Sequence, residues 1–239
     1  MRRAIGIDAL DSVLAGGLAP ERIHEVYAPC VEDAAGAAGF AVLLAGLFAN
    51  NGSNRPVAWV HERQSWRQGG IVQGESVSAL GSRPEDFLFI QADSRKALLK
   101  ACLDAARCTG LGAVVMQAQG PLPELTLTAS RQLLLAVQNS GVTLVMLRIG
   151  AEPVPSAAET RWAAASAPSR ALAANAPGRP AFDITLLRQK SGPSGMSWRV
   201  EWDRERAAFR DAQAPGAMVS VPVRRPAEDT GTGSLRRSA

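Results

Sequence analysis

The sequence predicts an α/β fold: a mainly parallel β-sheet flanked by helices, with an antiparallel hairpin near the C-terminus and a disordered tail. Helical and strand patterns alternate from residue 5 to about residue 149, and several predicted strands are continuous apolar runs, which is typical of strands buried on both faces. Two alternating segments, AFDITLLRQK and MSWRVEWDR, predict the hairpin at the sheet edge. We therefore expect one core domain, residues 1–210, and a basic tail without a core pattern, residues 211–239.

The first predicted elements are a helix, a strand and a second helix. Ile7, Leu10 and Leu14 have helical spacing, and Gly16-Gly17 ends this first helix. The segment RIHEVYA alternates apolar and polar residues, as a half-buried strand does. The alanine-rich stretch EDAAGAAGFAVLLAGLFANNG then predicts a helix, so a short turn connects this strand to a helix.

The following segments continue this alternation of strands and helices. Further strands are predicted at RPVAWVH, DFLFIQA, GAVVMQAQ and VTLVMLRIG. Further helices are predicted at SRKALLKACLDAARC, with Asp93 or Ser94 as its cap, and at LTASRQLLLAVQNSG. Residues 151–180 are rich in Ala, Pro and Ser with weak periodicity, and they predict a long mobile connection before the hairpin.

Composition limits the class of protein. No apolar run approaches the roughly 18 residues that span a bilayer, and no signal peptide pattern opens the chain, so we expect a cytoplasmic protein without membrane contact. Cys30, Cys102 and Cys108 form no CxxC pair, which argues against disulfides or zinc and favours buried, reduced thiols. The net charge of +4 fits contact with nucleic acid or an acidic partner, or equally a coding bias towards arginine.

The turn after the first predicted strand stands where a phosphate-binding loop would be, but it lacks the residues of one. In the pattern G-x-x-x-x-G-K-[ST], glycines let backbone N–H groups face the phosphates, the lysine neutralises charge and the hydroxyl holds Mg²⁺. Ala28 and Asp33 occupy the two glycine positions. Ala34 replaces the lysine and Ala35 the hydroxyl residue. Glu32 and Asp33 would also repel a triphosphate, by on the order of 1 kcal/mol at about 4 Å in solvated surroundings.

The residues that would hold the metal of such a site are also missing. The buried strand GAVVMQAQ ends in the neutral Gln117 and Gln119, where an acidic residue near Mg²⁺ would be needed. Glu62 is the only acid placed to activate water, and we interpret it as a solvated loop residue. The sequence contains no G-x-S-x-G or H-E-x-x-H motif. We therefore expect no catalytic residues, no cofactor and no metal.

Several segments together resemble a known family. LDSVLAGGLAPERIHEVYAP looks like the entry to a RecA-type recombinase core. The degenerate loop, TASRQLLLA, SAAETRWAAASAPS and SWRVEWD, in this order, are similar to the ImuA family of RecA-like accessory proteins. The resemblance covers about residues 4 to 210, and it implies a RecA-like core.

The resemblance also implies a role and partners. ImuA proteins belong to an SOS-induced cassette for mutagenic translesion synthesis. They act with ImuB, an inactive relative of the Y-family polymerases, and with an error-prone replicative-type polymerase, and contact with RecA itself is implied. This sequence departs from the recombinase pattern at the four loop positions given above, which puts ATP-driven filament assembly in doubt.

The resemblance suggests where partner or DNA contacts lie. In recombinases a long loop before the final hairpin touches single-stranded DNA, and the matching stretch here contains Arg161, Trp162 and Arg170. An exposed tryptophan there could stack on a base or anchor a protein, or it could fold back onto the sheet. The predicted hairpin and its end carry further candidate contact residues, namely Arg188, Arg199, Arg204, Arg206 and Arg210.

Three functions remain open from the sequence. The first is a non-catalytic RecA-like adaptor in a DNA-damage polymerase complex, and the second is a nucleotide-dependent enzyme with unusual loop chemistry. The third is a cell-division inhibitor resembling SulA, which binds a tubulin-like protein through a similar fold. Nucleotide binding separates the first two, and the identity of the protein partner separates the first from the third.

Overall fold

The computed structural model describes residues 1–50, 55–63, 70, 72–169, 171, 176 and 178–212. The helices in these residues are α1 (Asp8–Val13), α2 (Ala34–Ala49), α3 (Gly74–Ala79), α4 (Arg95–Ala106) and α5 (Leu127–Ser140). The strands in the same residues are β1 (Ile23–Ala28), β2 (Val57–Glu62), β3 (Phe87–Ala92), β4 (Ala113–Gln119), β5 (Thr143–Ile149), β6 (Thr160–Ser166), β7 (Ala181–Gln189), β8 (Met196–Asp203) and β9 (Ala208–Asp211).

All of these strands belong to one sheet, in the order β3-β2-β4-β5-β1-β6-β7-β8-β9. The pairs from β3 through β6 are parallel, and the pairs from β6 through β9 are antiparallel. This confirms the predicted mainly parallel sheet and its C-terminal antiparallel hairpin. Because β1, β2, β4 and β5 run in the same direction, their carboxyl ends meet at one edge of the sheet, which we call the carboxyl edge.

Strand β1 is central and completely buried, so the expectation of a half-buried strand is wrong. Its alternation came from His24 and Glu25, which are polar yet 0% exposed because they bond within the protein. His24 Nε2 lies 2.8 Å from the Ala19 carbonyl, and Nδ1 lies 2.8 Å from the Thr160 hydroxyl. A carbonyl only accepts, so Nε2 carries the proton and the neutral Nδ1 accepts from the hydroxyl. Trp162 Nε1 donates to the same hydroxyl at 2.8 Å.

Strand β6 lies inside residues 151–180, so the expectation of one long mobile connection there is wrong. It pairs with β1 on one side and β7 on the other, and it joins the parallel and antiparallel parts of the sheet. The sequence pattern is weak because only Trp162 is large and apolar, and the strand is otherwise filled by alanines. The backbone of β6 also approaches α2 closely, since a Cβ added to Gly36 of α2 would clash with the Ser166 nitrogen.

Apolar residues form two clusters, one on each face of the sheet. Helix α2 belongs to one cluster, and α4 and α5 belong to the other. The 19-residue stretch Val31–Ala49 is apolar and long enough to cross a membrane by length and composition, contrary to the expectation from the sequence. However, 56% of its 18-residue window is buried inside the protein, as expected for a core helix that covers a sheet.

The helix cap, the cysteines and the start of the tail can also be compared with the expectations from the sequence. Ser94 caps α4 by accepting the Ala97 N–H at 3.2 Å, which confirms one of the two predicted caps. Cys102 is buried, but Cys30 and Cys108 are exposed, so the prediction of buried thiols is wrong for these two. Of the predicted tail, Asp211 is the last residue of β9, and residues 213–239 lie outside the described residues.

Candidate functional site at the carboxyl edge of the sheet

The turn between β1 and α2 is short and bonded to itself. It contains a 3₁₀ turn, Val31–Asp33, directly before α2. The Asp33 N–H donates to the Cys30 carbonyl at 3.3 Å, and the Cys30 thiol donates to the Asp33 carboxylate at 2.9 Å. A phosphate loop instead leaves successive N–H groups free to face the ligand, so this turn has a backbone donor already engaged by its own residues.

The structure places the four positions that would carry a phosphate loop at different depths. Ala28 is buried at the end of β1, where it pairs with Ile149 of β5. Asp33 is half-buried, and Ala34, at the lysine position, is only 2% exposed. Ala35, at the hydroxyl position, is exposed. The helix therefore begins with one buried and one exposed alanine, and neither supplies a charge or a hydroxyl.

Negative charge is favoured at this turn. The pKa of Glu32 is lowered by a hydrogen bond from its own backbone N–H and by one from the Cys30 thiol. The pKa of the Cys30 thiol is raised, chiefly because the thiol donates a hydrogen bond to the Asp33 carboxylate. The lowered pKa of Glu32 and the raised pKa of Cys30 thus favour a carboxylate next to a protonated thiol. Such a turn suits the positive end of the α2 dipole without an added anion.

The last residues of β4 and β2 include the neutral Gln117 and the acidic Glu62. The structure changes the interpretation of Glu62. Gln117 is buried, accepts from Trp59 Nε1 at 2.9 Å and donates to the Gly70 carbonyl at 3.1 Å. Glu62 is not a solvated loop residue: it ends β2, its side chain is 14% exposed, and it lies 3.7 Å from Arg95. Burial raises the pKa of Glu62, and Arg95 opposes that rise. Among the described residues, no group of three or more His, Cys, Asp or Glu could hold a metal ion.

A cavity of about 620 Å³ lies beside the first turns of α2. Small residues of α2, including Ala35 and Gly39, form one wall, and Phe182 of β7 forms another. Its polar lining includes Gln117, Arg179 and Arg204. Within the described residues the lining contains no Asp or Glu, so this cavity offers cations and amides but no carboxylate for a metal.

Trp162 is packed inside the protein, which was one of the alternatives that the sequence left open. It is 0% exposed, and its ring packs against Phe40 and Trp198 at centroid distances of 6.2 and 6.4 Å. Of the alternatives open from the sequence, the structure supports the one in which Trp162 folds back onto the sheet, because β6 directs this side chain into the core beneath α2. Arg170, the third residue predicted in this stretch, lies outside the described residues.

Arg161 belongs to a buried polar cluster that sequence reasoning missed, and not to an exposed loop. Its Nε donates to Glu25 at 2.7 Å, with the Glu25 side chain 0% exposed. The guanidinium carbons of Arg161 and Arg148 lie 5.7 and 6.0 Å from the Tyr27 ring centroid. Burial lowers the pKa of Arg148 and raises that of Tyr27. The signal in the sequence was the occurrence of opposite charges, Glu25 and Arg148, within otherwise apolar strands.

The arginines of the hairpin divide into paired and exposed ones. Arg199 donates to both oxygens of Asp183 across the β7–β8 pair, at 2.7 and 2.8 Å. Arg210 bonds Glu201 at 2.8 Å. The remaining hairpin candidates are exposed: Arg188, Arg204 and Arg206. Charge-paired arginines have fewer free donors for a ligand, so the three exposed side chains are the better contact candidates in this part of the chain.

Comparison with solved structures shows what this fold is similar to. The crystal structure of the RadB recombinase superimposes with a TM-score of 0.55 and 15% sequence identity, and the match covers 88% of this chain and 100% of that chain. The fold is RecA-like. No family model matches the sequence, and no curated protein matches it. The similarity to ImuA therefore remains a prediction from the sequence segments, whereas the RecA-like architecture is established.

The RecA-like fold explains why the β1–α2 turn resembles a phosphate loop in position. The strand, turn and helix are retained as packing elements, with β1 central in the sheet and α2 in the main core cluster. The position of this turn does not by itself make a nucleotide site, because the same backbone arrangement needs particular side chains before it can bind nucleotide.

Proposed function

We propose that this chain is a non-catalytic, RecA-like accessory protein in SOS-induced, error-prone translesion synthesis. It acts through protein contacts with an ImuB-type relative of the Y-family polymerases, in a complex that includes an error-prone replicative-type polymerase. RecA and single-stranded DNA are further candidate partners, and the protein works in the cytoplasm, at the nucleoid during DNA damage. The carrying observation is the closed, acidic turn that replaces a phosphate loop at the start of α2.

Three features of this turn argue against nucleotide-driven action. The Asp33 N–H bonds the Cys30 carbonyl, so it is unavailable to a phosphate. Ala34 is buried and cannot neutralise charge. Glu32 and Asp33 place acidic side chains in the turn before α2, and carboxylates there would repel a phosphate even in solvent. An adaptor has no need of hydrolysis, so the same fold can serve by holding partners.

The nucleotide test is equilibrium dialysis of labelled ATP with Mg²⁺ against the full chain. We expect no saturable binding at nucleotide concentrations up to about 1 mM, which corresponds to roughly −4 kcal/mol. The matched variant is Glu32→Gln/Asp33→Asn, which removes the repulsion but leaves the short turn and the alanines, so we expect no tight binding there either. Tight binding and hydrolysis by the wild type, both lost on altering Cys30–Gly36, would make the chain an enzyme and refute the proposal.

The partner test is direct binding between purified chains. We expect a stable complex with an ImuB-type polymerase relative and none with a tubulin-like division protein. Variants that replace the exposed arginines Arg188, Arg204 and Arg206 by glutamate test whether this surface contributes, with Arg199→Glu as a control for loss of a structural pair. Binding to the tubulin-like protein alone would support the SulA-like alternative instead.

A further inference from the structure

Three apolar side chains lie exposed near the carboxyl edge of the sheet. Val31, in the turn before α2, is 46% exposed. Leu127, the first residue of α5, and Val154, in the connection between β5 and β6, are each 39% exposed. We call Val31, Leu127 and Val154 the apolar strip. Large apolar side chains that lie exposed together mark sites of interaction.

The connection between β5 and β6 links the three side chains of the strip. At its start, a Cβ added to Gly150 would lie 3.7 Å from Cγ2 of Val31, so this side chain borders the connection. Further along, the Ala157 N–H donates to the Ser130 hydroxyl at 3.1 Å, and that hydroxyl donates to the Leu127 carbonyl at 2.9 Å. The connection thus runs from the β1–α2 turn to the first turn of α5.

Val154 lies between these two ends, and its backbone is held in place. Its carbonyl accepts from Arg161 Nη2 at 2.6 Å, and the same nitrogen donates to the Ser156 hydroxyl at 3.3 Å. Pro153 and Pro155 flank it, and proline restricts the backbone on each side. The strip is therefore fixed by backbone contacts, although its side chains are not covered.

The charges beside the apolar strip are mainly negative. Four acidic residues, exposed or half-buried, lie in the segments that carry the strip or lead into it, namely Glu32, Asp33, Glu124 and Glu152. In the same segments and the first two turns of α5, the described residues include one exposed cation, Arg131. Arg161, beneath the connection, is already paired with Glu25 at 2.7 Å. Carboxylates around an apolar surface favour a partner with Lys or Arg beside its apolar side chains, and they repel nucleic acid.

We propose that the apolar strip is a docking surface for a short segment of another protein, in which apolar side chains are flanked by Lys or Arg. The apolar side chains of that segment would cover the strip. Its cations would meet the exposed carboxylates of Glu32 and Glu152. Apolar burial at the centre of such a surface supplies affinity, and charges at its rim supply orientation and a faster association.

A second copy of this chain matches the strip less well. Among its described residues, the exposed large apolar side chains directly next to an arginine in the sequence are Met1, beside Arg2, and Leu187, beside Arg188. Each is a single apolar side chain, whereas the strip presents three. A stable interface between two folded copies also needs about 800 Å² on each partner, far more than three partly exposed side chains supply.

The test uses a phage library of random peptides about 12 residues long, selected on the immobilised full chain. We expect selected peptides that combine apolar residues with Lys or Arg. They should bind the strip variant, Val31→Ser/Leu127→Gln/Val154→Ser, at least about ten-fold more weakly than the wild type. They should bind the charge variant, Glu32→Gln/Glu152→Gln, about three-fold more weakly and with a smaller dependence on salt.

The matched control is Leu135→Gln, farther along α5, where an apolar side chain is also exposed, at 59%. Binding to this control should change less than about two-fold. All substituted side chains are already exposed, so we expect each variant to fold, and far-UV circular dichroism checks this. The charge variant replaces carboxylates by amides of the same shape, so it tests the proposal even if the strip variant does not fold.

Several results would overturn the proposal. Selection of no binder, selected peptides without Lys or Arg, or equal binding to the wild type and the strip variant would each do so. Self-association of the wild type that is lost in the strip variant would mean that the occupant is a second copy. Binding of labelled single-stranded DNA that is lost in the strip variant would mean that the occupant is nucleic acid. The proposed role in translesion synthesis is not needed for any of these outcomes.

Discussion

Replacing Arg161 should show whether this side chain stabilises the folded protein or is available for contact with a partner. In the structure its Nε donates to Glu25 at 2.7 Å, and the two side chains are 12% and 0% exposed. Arg161→Ala leaves a carboxylate buried without its main partner, and breaking such a pair costs about 3–5 kcal/mol. Arg148 remains within electrostatic reach of Glu25, so we expect a loss of stability near 3 kcal/mol, the lower end of that range.

The assay is urea unfolding followed by far-UV circular dichroism, with the free energy of unfolding obtained by linear extrapolation. The control is Arg188→Ala, because Arg188 pairs in register with Arg161 on β7 but is exposed. It should change stability by less than about 0.5 kcal/mol. Adding Glu25→Gln to Arg161→Ala should recover part of the loss, since the Glu25 carboxylate is then no longer buried without Arg161, although Arg148 stays buried beside it. Equal stability of the two single variants would refute a structural role and return Arg161 to the list of contact residues.

Three further predictions follow from single contacts. The pKa of His24 is lowered by burial from 6.5 to about 4. The free energy of unfolding should therefore keep its full value above about pH 6.5 and fall between pH 6.5 and 4, by about 2 kcal/mol at pH 5. A His24→Gln variant should show a flatter pH profile in urea unfolding. Gly36→Ala should destabilise by about 1–3 kcal/mol through its 2.3 Å clash with the β6 backbone, whereas Gly46→Ala, whose Cβ meets only a hydroxyl at 3.8 Å, should be neutral or stabilising by up to about 1 kcal/mol. Asp33→Asn should lower the pKa of Cys30 by removing the carboxylate that accepts its hydrogen bond, and mass spectrometry should then detect faster alkylation of Cys30 near pH 8 with no change at Cys108.

The sequence predicted the parallel part of the fold because its signals are local. Long apolar runs such as β4 and β5, and caps such as Ser94, depend on neighbouring residues and can be recognised without knowledge of the fold. Strand β6 could not be recognised in this way. Its apolar face consists of Trp162 and small residues, and their burial depends on the close approach of Gly36 from a helix more than a hundred residues earlier.

The sequence indicates that the candidate site lacks the residues of a phosphate loop, but it does not indicate which contacts the residues present there make. The sequence alone indicates the alanines at positions 34 and 35 and the acids before them. The bond between Cys30 and Asp33, and the pairing of Glu25 with Arg161, need the geometry of the turn and of adjacent strands. The polar residues His24 and Glu25 led to the expectation that one face of β1 is exposed. In the structure they are buried and bond to Thr160 and Arg161, which lie far along the chain.

The residues of the β1–α2 turn bear on where such a protein could act. A phosphate-binding turn needs free backbone donors and positive charge of its own. Here the Asp33 N–H is already bonded and the turn carries the acids Glu32 and Asp33, whereas the cations Arg179 and Arg204 line the cavity beside α2. The exposed arginines of the hairpin lie in the antiparallel part of the sheet, at the far end of the strand order from β3. Under the proposed adaptor role, a partner with acidic groups would bind there, and such binding needs no step that consumes ATP.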